Sequence, residues 1–392
     1  MIKIGITIGS KYLNELWNCG IHINVLNLYF LLSKIDIFNV QLLSVFDLSE
    51  SDTSNKHEIF NDINVKFLND YGKDYDIIIF MGGLPTTEVI TEFHNMRKIK
   101  LIYYKCGNDF INICERILWD EKVSENSDDL FTYFDEVWYV PQQEEQNRAY
   151  YEMMFKNSIV LKVPFIWSST FLDYDIKKLK ENDKLKLYNT TKEKKVISVL
   201  EPNISTTKNC LVPILITEKT YMKKSCKDCI EDLQITNAHK YLTNGHFKTF
   251  IKQFDLHKDS KISVEHRYKL SFILNNYADI IVSHQQFNPL NYLYLDCVYL
   301  GFPILHNGSL CKDIGYYYEG YDINDASLKL EDILLNHDKR HSEYLESNKK
   351  ALYKYNYNEN DDLVLCYKNL ILDIYNYKNV DKKWCQNTNL LN

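Results

Sequence analysis

The feature of the sequence that most constrains the fold is a short, continuous apolar run that ends in two glycines. Residues Ile77–Met81 are all apolar, and Gly82 and Gly83 follow directly. A run of this length predicts a strand, and it lacks the alternation of a strand that faces water on one side. Such strands are typical of parallel sheets covered by helices on both faces. The chain is therefore predicted to contain a parallel α/β sheet.

Further strands and helices alternate through the first 170 residues. The patterns predict strands at Lys3–Ile8, Val40–Val45, Lys66–Leu68, Lys100–Tyr104, Glu136–Val140 and Ile159–Leu161, and helices at Trp17–Ser33, Glu88–Met96 and Glu144–Met154. This order is typical of a doubly wound sheet. Residues 171–194 are polar and rich in lysine, without apolar periodicity, and are interpreted as a linker.

The alternation then begins again at Lys195. Strands are predicted at Lys195–Leu200, Asp232–Ala238, Ala278–Ser283 and Pro303–Leu305, helices at Pro213–Met222, Phe247–Phe254, Asn291–Leu300, Ala326–Leu335 and Ser342–Asn376, and an amphipathic segment at Ser263–Asn276. A chain of 392 residues suits two domains of roughly 150–200 residues each. The predicted organisation is a Rossmann-like domain (1–170), a linker (171–194), a second Rossmann-like domain (195–345), a long C-terminal helix (346–378) and a flexible tail (379–392).

Composition excludes several classes of protein. The 45% hydrophobic and 25% charged residues exclude wholesale disorder, and the net charge of −7 does not favour general nucleic-acid binding. No apolar run approaches the ~20 residues of a membrane span, and the N-terminus does not resemble a secretory signal. A cytoplasmic protein with reduced cysteines is expected. The bias towards Tyr, Asn, Lys and Ile is typical of an AT-rich genome, such as that of a low-GC bacterium, a phage or a large virus.

Polar residues gather where predicted strands of the second half end, which is where ligands bind in open α/β sheets. Glu201, Asn203 and Lys208 follow the strand that starts at Lys195. A lysine near a helix N-terminus suits a diphosphate. The alternative is an ordinary polar loop with a solvated Lys208.

The densest polar segment lies between Ser283 and Asn307. It combines a strand end, a polar loop, a helix and a further strand, and its candidate ligand-binding residues are His284, Asn288, Asn291, Asp296 and Asn307. The helix N-terminus suits an anion, and Asp296 or the amides suit sugar or ribose hydroxyls. His284 fits a structural role equally well.

Two strand ends of the first half offer further candidates. Asn108 and Asp109 follow the strand Lys100–Tyr104. Asp109 fits a general base that accepts the proton of an acceptor hydroxyl, and equally a helix N-cap. The loop after the first strand starts at Gly9, where a small residue lets backbone approach a ligand. The alternative is an ordinary strand-to-helix turn, and the absence of GxGxxG disfavours a dinucleotide site.

Several segments resemble, in order, one known family. These are Trp17-Asn18-Cys19-Gly20 with Asn24, Gly107-Asn108-Asp109, Phe134–Trp138, Glu201-Pro202-Asn203 with Lys208, Ser283-His284 with Asn291–Tyr294, Gly301-Phe302-Pro303 and His306-Asn307. Together they are similar to the bacterial and phage family called domain of unknown function 2827. The resemblance covers about residues 1–340. It implies a glycosyltransferase of the GT-B type, in which two Rossmann-like domains with parallel sheets face each other across a cleft.

In GT-B enzymes the C-terminal domain holds the nucleotide-sugar and the N-terminal domain holds the acceptor. The resemblance therefore implies that Glu201, Asn203, Lys208, Asn291 and Asp296 face the donor, most simply a UDP-sugar. His284, Asn288 and Asn307 are added as donor-binding candidates. Asp109 becomes the leading base, and Gly9, Trp17, Asn18, Asn24 and Asn108 become acceptor-side candidates. The sequence departs from the commonest GT-B pattern of two glutamates, because only Asp296 is available on that helix.

No metal or cofactor is expected beyond the nucleotide-sugar. The motifs Asp74-Tyr75-Asp76 and Asp173-Tyr174-Asp175 are not placed after a strand, as a metal-binding Asp-x-Asp requires. The pair Cys226 and Cys229 lacks a second pair of zinc ligands nearby.

Three functions remain open from the sequence. The first is transfer of a sugar to a glycan, by direct displacement with a carboxylate base and with inversion favoured. The second is a phage-type DNA glycosyltransferase acting on hydroxylated cytosine, for which Lys192–Lys195, Lys223–Lys227 and Lys349–Lys354 could bind phosphates. The third is a non-catalytic sugar- or nucleotide-binding protein.

Overall fold

The computed structural model describes residues 1–9, 20–47, 58–60, 63–119, 130–186 and 188–376. The chain divides into two compact units. The first comprises Met1–Ser168 together with the chain from Lys354 onward, and the second comprises Ser169–Tyr353.

The first unit contains a parallel sheet of seven strands in the order β3-β2-β1-β4-β5-β6-β7. The strands are β1 (Ile2–Ile8), β2 (Phe38–Ser44), β3 (Val65–Phe67), β4 (Ile77–Phe80), β5 (Lys100–Lys105), β6 (Glu136–Tyr139) and β7 (Ile159–Lys162). In register, Ile4 of β1 pairs with both Val40 and Ile77. All four residues of β4 are buried, as the apolar run predicts for a strand covered on both faces.

The helices of the first unit connect successive strands. They are α1 (Gly20–Ser33), α2 (Leu68–Tyr71), α3 (Thr87–Met96), α4 (Asp109–Leu118) and α5 (Glu144–Met154). Gly82 follows β4 where β1 passes closely. A Cβ at this position would lie 2.6 Å from the carbonyl oxygen of Thr7, so only glycine fits.

The second unit contains a parallel sheet of six strands in the order β10-β9-β8-β11-β12-β13. The strands are β8 (Lys195–Val199), β9 (Ile230–Ile235), β10 (Ile262–Val264), β11 (Ile280–Val282), β12 (Ile304–His306) and β13 (Tyr316–Tyr317). Its helices are α6 (Thr170–Glu181), α7 (Leu211–Tyr221), α8 (Lys224–Lys227), α9 (Gly245–Ile251), α10 (Asp255–Lys258), α11 (Leu270–Asn276), α12 (Tyr292–Tyr299), α13 (Ile323–Asn336) and α14 (His341–Leu352). A last helix, α15 (Asp361–Asn376), lies in the first unit.

In each unit the strand order reverses direction between two neighbouring strands, β1 and β4 in the first sheet and β8 and β11 in the second. Loops diverge at such a switch point and leave a crevice at the carboxyl ends of the strands. The two Rossmann-like sheets predicted from sequence are therefore present.

Three segments differ from the sequence predictions. Residues 171–181 of the predicted linker lie in α6, because Asp175 anchors this polar helix through Lys269 and Ser271. Within the amphipathic segment Ser263–Asn276, the structure has the strand β10 and the helix α11 separated by a loop.

The third difference is the predicted C-terminal helix 346–378, which is two helices, α14 and α15. They are separated by a turn rich in asparagine. The side chain of Asn360 accepts a bond from the Asp362 N–H at 3.1 Å, and the backbone N–H of Trp167 bonds to the carbonyl of Tyr355 at 2.8 Å. Asparagine side chains that bond to nearby backbone compete with helix continuation.

Four buried histidines make stability depend on pH. Burial lowers the pKa of each from 6.5 to about 4, for His22, His284, His306 and His337. Below pH 6.5 the unfolded chain binds protons that the folded chain does not, so the free energy of unfolding decreases from about pH 6.5 to about pH 4. At pH 5 each histidine lowers the free energy of unfolding by about 2 kcal/mol relative to neutral pH. Burial raises the pKa of Glu201 to about 7. The folded chain therefore binds a proton at this group before the unfolded chain does as the pH falls, and the resulting gain in the free energy of unfolding offsets the loss from about one histidine.

We expect a lower urea midpoint at pH 5.0 than at pH 7.5. The exposed His257 provides a control, because a His257→Gln variant should keep the same pH dependence. Equal midpoints at the two pH values would contradict the neutral, buried state of these imidazoles.

Candidate functional site

The second sheet brings two of the predicted polar segments together at its switch point. Strand β8 pairs with β11 in parallel, with Ile280 opposite Ile197. Glu201 follows the carboxyl end of β8, and Ser283 follows the carboxyl end of β11. Both segments therefore leave the sheet at the same edge, side by side.

Glu201 is the buried centre of this edge, with 0% of its surface exposed. One carboxylate oxygen accepts a hydrogen bond from the Ser283 hydroxyl. The other accepts one from the Gln285 amide at 3.0 Å. Burial raises the pKa of Glu201 to about 7, although these bonds and nearby Lys208 act to lower it. This carboxyl group therefore titrates near neutral pH.

Gln285 connects Glu201 to three of the asparagines that the sequence analysis gives as donor-binding candidates. Its side-chain oxygen accepts bonds from Asn288 and, at 2.9 Å, from Asn291. Its backbone N–H donates to Asn307 at 2.9 Å, and its carbonyl accepts from the same amide at 3.0 Å. We call Glu201, Ser283, Gln285, Asn288, Asn291 and Asn307 the Glu201 cluster.

The sequence analysis missed Gln285. The residue lies in the segment already singled out, and an amide side chain can donate to a carboxylate through its nitrogen while its oxygen accepts from two other amides. The structure also shows that Asn291 caps α12, since its oxygen accepts from the Leu293 N–H at 2.9 Å. These asparagines thus shape the edge of the sheet through bonds within the chain.

Asn203 fixes the loop that follows Glu201. Its φ of 55° is left-handed, a conformation that asparagine tolerates better than most residues. Its amide donates to the carbonyls of Glu201 and Thr236 at 3.0 and 3.1 Å and accepts from the Cys210 N–H at 2.8 Å. The amide is engaged within the loop, so its contribution is to hold the loop in shape.

Lys208 stands where this loop meets the segment after β11. Its backbone pairs with Gln285 in an antiparallel bridge. The side chain is partly buried, and loss of hydration lowers the pKa of its ammonium, whereas Glu201 acts to raise it. An anion bound beside Lys208 would favour its charged form and so compensate for the hydration that burial removes.

His284 lies within the same edge and is 3% exposed. Its Nδ1 shares a hydrogen bond with the Tyr318 hydroxyl at 2.8 Å, and Tyr321 covers its ring at a centroid distance of 4.4 Å. Among the described residues, Nε2 has no hydrogen-bond partner. Because burial lowers its pKa to about 4, the neutral imidazole holds a buried polar atom that a ligand could satisfy.

Asp296 and His306 complete the segment. Asp296 is partly buried in the middle of α12. His306 is structural, because its Nε2 lies 2.7 Å from the Ile314 carbonyl and its Nδ1 accepts from the Gly308 N–H at 3.0 Å. These two partners require the proton on Nε2.

In the first unit, the candidate base Asp109 is the first residue of α4 and pairs with Lys105 at 2.6 Å. The N-cap is Asn108, whose oxygen accepts from the Ile111 N–H at 3.2 Å, so the alternative that Asp109 is the cap does not hold. Burial alone would lower the pKa of Lys105, but neighbouring Tyr103 and Asp109 raise it above its ordinary value. Lys105 therefore stays charged beside the carboxylate.

The other acceptor-side candidates are described in part. Gly9 is buried at the end of β1, and the amide of Asn24 donates to the Gly20 carbonyl within α1 at 2.8 Å. Trp17 and Asn18 lie outside the described residues.

Neither a metal centre nor a membrane span is found in the described parts of the chain. No group of three or more His, Cys, Asp or Glu residues in these parts is arranged to hold a metal ion. No helix there has both the length and the apolar character that crossing a membrane requires. Cys226 and Cys229 are free thiols.

Residues 4–371 match a family model described as "Protein of unknown function (DUF2827)". The chain belongs to the DUF2827 family. This confirms the family resemblance seen in the motifs. No curated protein matches the chain.

Solved structures share the fold of this DUF2827 protein at low identity. A glycosyltransferase from Rickettsia africae is 13% identical, with a TM-score of 0.53 over 96% of this chain and 99% of that chain. Anabaena HepE, solved with UDP and glucose, is 11% identical, with a TM-score of 0.55 over 95% and 100%. The sucrose-phosphate synthase from Thermosynechococcus elongatus is 9% identical, with a TM-score of 0.55 over 96% and 100%. The GT-B fold class is thereby confirmed.

The Glu201 cluster gives a direct test of the role of Gln285. A Gln285→Ala variant would leave a buried carboxylate oxygen and two amides without their partner, at a cost of roughly 1–3 kcal/mol in the free energy of unfolding. Urea unfolding measures this loss. The neighbouring Gln286, which is less buried, is the matched control, and Gln286→Ala should change stability by less than about 0.5 kcal/mol. Equal effects of the two variants would show that the cluster is not the stabilising element.

Proposed function

We propose that this DUF2827 protein is a glycosyltransferase whose nucleotide-sugar donor binds at the carboxyl edge of the second sheet. The observation that carries the proposal is the Glu201 cluster at the switch point between β8 and β11. Open α/β sheets bind ligands at this position. Here the position also holds a partly buried lysine and a buried, unsatisfied imidazole nitrogen.

Each of these groups suits one part of a nucleoside diphosphate sugar. Lys208 is partly buried and burial lowers the pKa of its ammonium, so a diphosphate beside it would form a charge-assisted hydrogen bond where hydration is reduced. The N-terminus of α12 adds a positive dipole end. Nε2 of His284 offers a hydrogen bond to a sugar or ribose hydroxyl, and Asp296 on α12 offers a carboxylate to another.

The structural neighbours favour UDP as the nucleotide. Anabaena HepE was solved with UDP and glucose, and in a further structure with UDP-glucose. Its fold covers nearly the whole of this chain. A UDP-sugar is therefore the donor we propose.

The proposed reaction is a direct displacement. An acceptor hydroxyl oxygen bonds to the anomeric carbon of the sugar, and the bond from that carbon to the diphosphate oxygen breaks. Asp109 takes the hydroxyl proton, and the diphosphate leaves with the electron pair of the broken bond. The Lys105 ammonium pairs with the Asp109 carboxylate at 2.6 Å and so positions it. The proposed reaction uses no metal ion.

The first test is thermal unfolding with UDP, GDP and CDP. A ligand that binds only the folded chain stabilises it by RT ln(1 + [L]/Kd), about 2.7 kcal/mol at a hundredfold excess over Kd. We expect UDP to raise the unfolding temperature most, and Lys208→Ala to abolish most of that rise. The control is Lys219→Ala, which alters an exposed lysine of α7 and should respond like the unaltered protein. If Lys208→Ala keeps the full rise in unfolding temperature, Lys208 is not part of the nucleotide site. If no nucleotide raises the unfolding temperature, the proposed class of donor is wrong.

The second test concerns Asp109. If it is the base, Asp109→Asn should lower turnover of the nucleotide-sugar by about 10²–10⁴ while leaving the UDP-induced thermal shift unchanged. Glu145→Gln, which alters an exposed carboxylate of the first unit, should leave both quantities unchanged. Full turnover in Asp109→Asn would assign the proton to another acceptor. Nucleotide binding without turnover in the unaltered protein would favour the non-catalytic binder.

A further inference from the structure

Helix α4, which begins at the candidate base Asp109, has no buried face. The structure describes all ten of its residues, and none of them is buried. The ring of Phe110 contacts Tyr150 of α5 at a centroid distance of 5.8 Å, yet Phe110 stays 39% exposed. Helices this short are marginal in water without the packing of an apolar face. The position of the helix, and with it the backbone of Asp109, therefore depends on other contacts.

Asn147 of α5 supplies these contacts, and its side chain is fully buried. Its oxygen accepts a hydrogen bond from the Phe110 N–H at 2.9 Å. Its nitrogen donates to the side-chain oxygen of Asn108 at 2.9 Å. Because Asn108 is the N-cap of α4, Asn147 bonds to the residues directly before and directly after Asp109.

Asn147 is itself held by the chain that follows a buried strand. Its nitrogen also donates to the side-chain oxygen of Gln143 at 3.0 Å, and Gln143 is buried. Gln143 ends the short helical turn Pro141–Gln143 after β6, and all four residues of β6 are buried. An asparagine amide has one oxygen that accepts and two N–H groups that donate. Asn147 uses its oxygen and both donations, and so connects the end of β6 to the backbone on both sides of Asp109.

The side chain of Asp109 is held separately from its backbone. The Lys105 ammonium pairs with its carboxylate at 2.6 Å and lies over the ring of Tyr103, 4.0 Å from the centroid. The carboxylate is 28% exposed, so a ligand can reach it. Lys105 thus orients the carboxylate, whereas Asn147 fixes the backbone that carries it.

We propose that Asn147 is a positioning residue for the base of the transferase. This inference rests on the proposed function, in which Asp109 takes the proton of the acceptor hydroxyl. A displacement of about 1 Å at a reacting group can lower a rate about 100-fold. A helix that lacks a buried face needs a fixed N-terminus to keep its first residue within that tolerance, and the three bonds of Asn147 provide it.

Steady-state kinetics of UDP release from UDP-glucose test the inference. For Asn147→Ala we expect kcat to fall about tenfold to 100-fold. The KM for UDP-glucose should not change, because the proposed nucleotide site lies in the second unit. The matched control is Asn275→Ala. Asn275 is also buried, accepts from the Lys186 N–H at 2.6 Å and donates to the Lys184 carbonyl at 2.9 Å, but lies in the second unit. This control should keep the kcat of the unaltered protein.

A double-mutant cycle distinguishes positioning from a general structural role. If Asn147 acts through Asp109, the double variant Asp109→Asn/Asn147→Ala should be no slower than Asp109→Asn alone. A double variant slowed by the product of the two single effects would overturn the inference. Thermal unfolding shows whether each variant is folded at the assay temperature. If Asn147→Ala is not folded, Gln143→Met replaces it in the cycle, since this change removes the oxygen that accepts from Asn147.

The single variants separate this inference from the proposed function. Slow turnover in Asp109→Asn together with full turnover in Asn147→Ala would overturn the inference alone. Full turnover in Asp109→Asn would overturn the proposed base and the inference with it. If the unaltered protein releases no UDP from UDP-glucose, both are wrong.

Discussion

The carboxyl group of Glu201 is completely buried, and the hydrogen bonds that Ser283 and Gln285 donate to it replace part of the hydration that it loses. A buried carboxylate without such donors would cost several kcal/mol. These bonds connect the loop after β8 to the loop after β11. The strand order of the parallel sheet reverses between these two strands. Asn288, Asn291 and Asn307 then take their positions from Gln285. The geometry of the whole edge therefore depends on this one carboxyl group keeping its donors.

The sequence predicted this edge at the level of segments. The apolar runs located β4, β8 and β11 to within a few residues, because buried parallel strands have a simple pattern. Two residues on adjacent loops, Glu201 and Ser283, were both recognised as strand-end positions. The sequence does not show the hydrogen-bond partner of each side chain. An asparagine that binds a sugar and one that bonds to Gln285 can have the same neighbours in sequence.

The elements that the sequence analysis missed have identifiable physical causes. Strand β13 has two residues and β10 has three, which is too short for periodicity to appear. Helix α6 has a narrow apolar face and is held by the contacts of Asp175 with residues about 95 positions away. The break between α14 and α15 comes from asparagines bonding to backbone. For α6 and for the break between α14 and α15, a contact distant in sequence or a side chain bonding to backbone outweighs the local apolar pattern.

Helix α15 gives the chain an order of assembly. Its Tyr367 hydroxyl bonds to the hydroxyl of Tyr104 at 2.7 Å and donates to the Pro164 carbonyl at 2.7 Å, yet 263 residues separate the two tyrosines. The second unit is thus an insertion within the first. As the chain leaves the ribosome, the second unit has all of its residues while the first still lacks its last helix. The unit whose residues are synthesised first is therefore the last to be completed. A nascent chain that ends before residue 361 would expose the apolar surface around Tyr104 and Trp138.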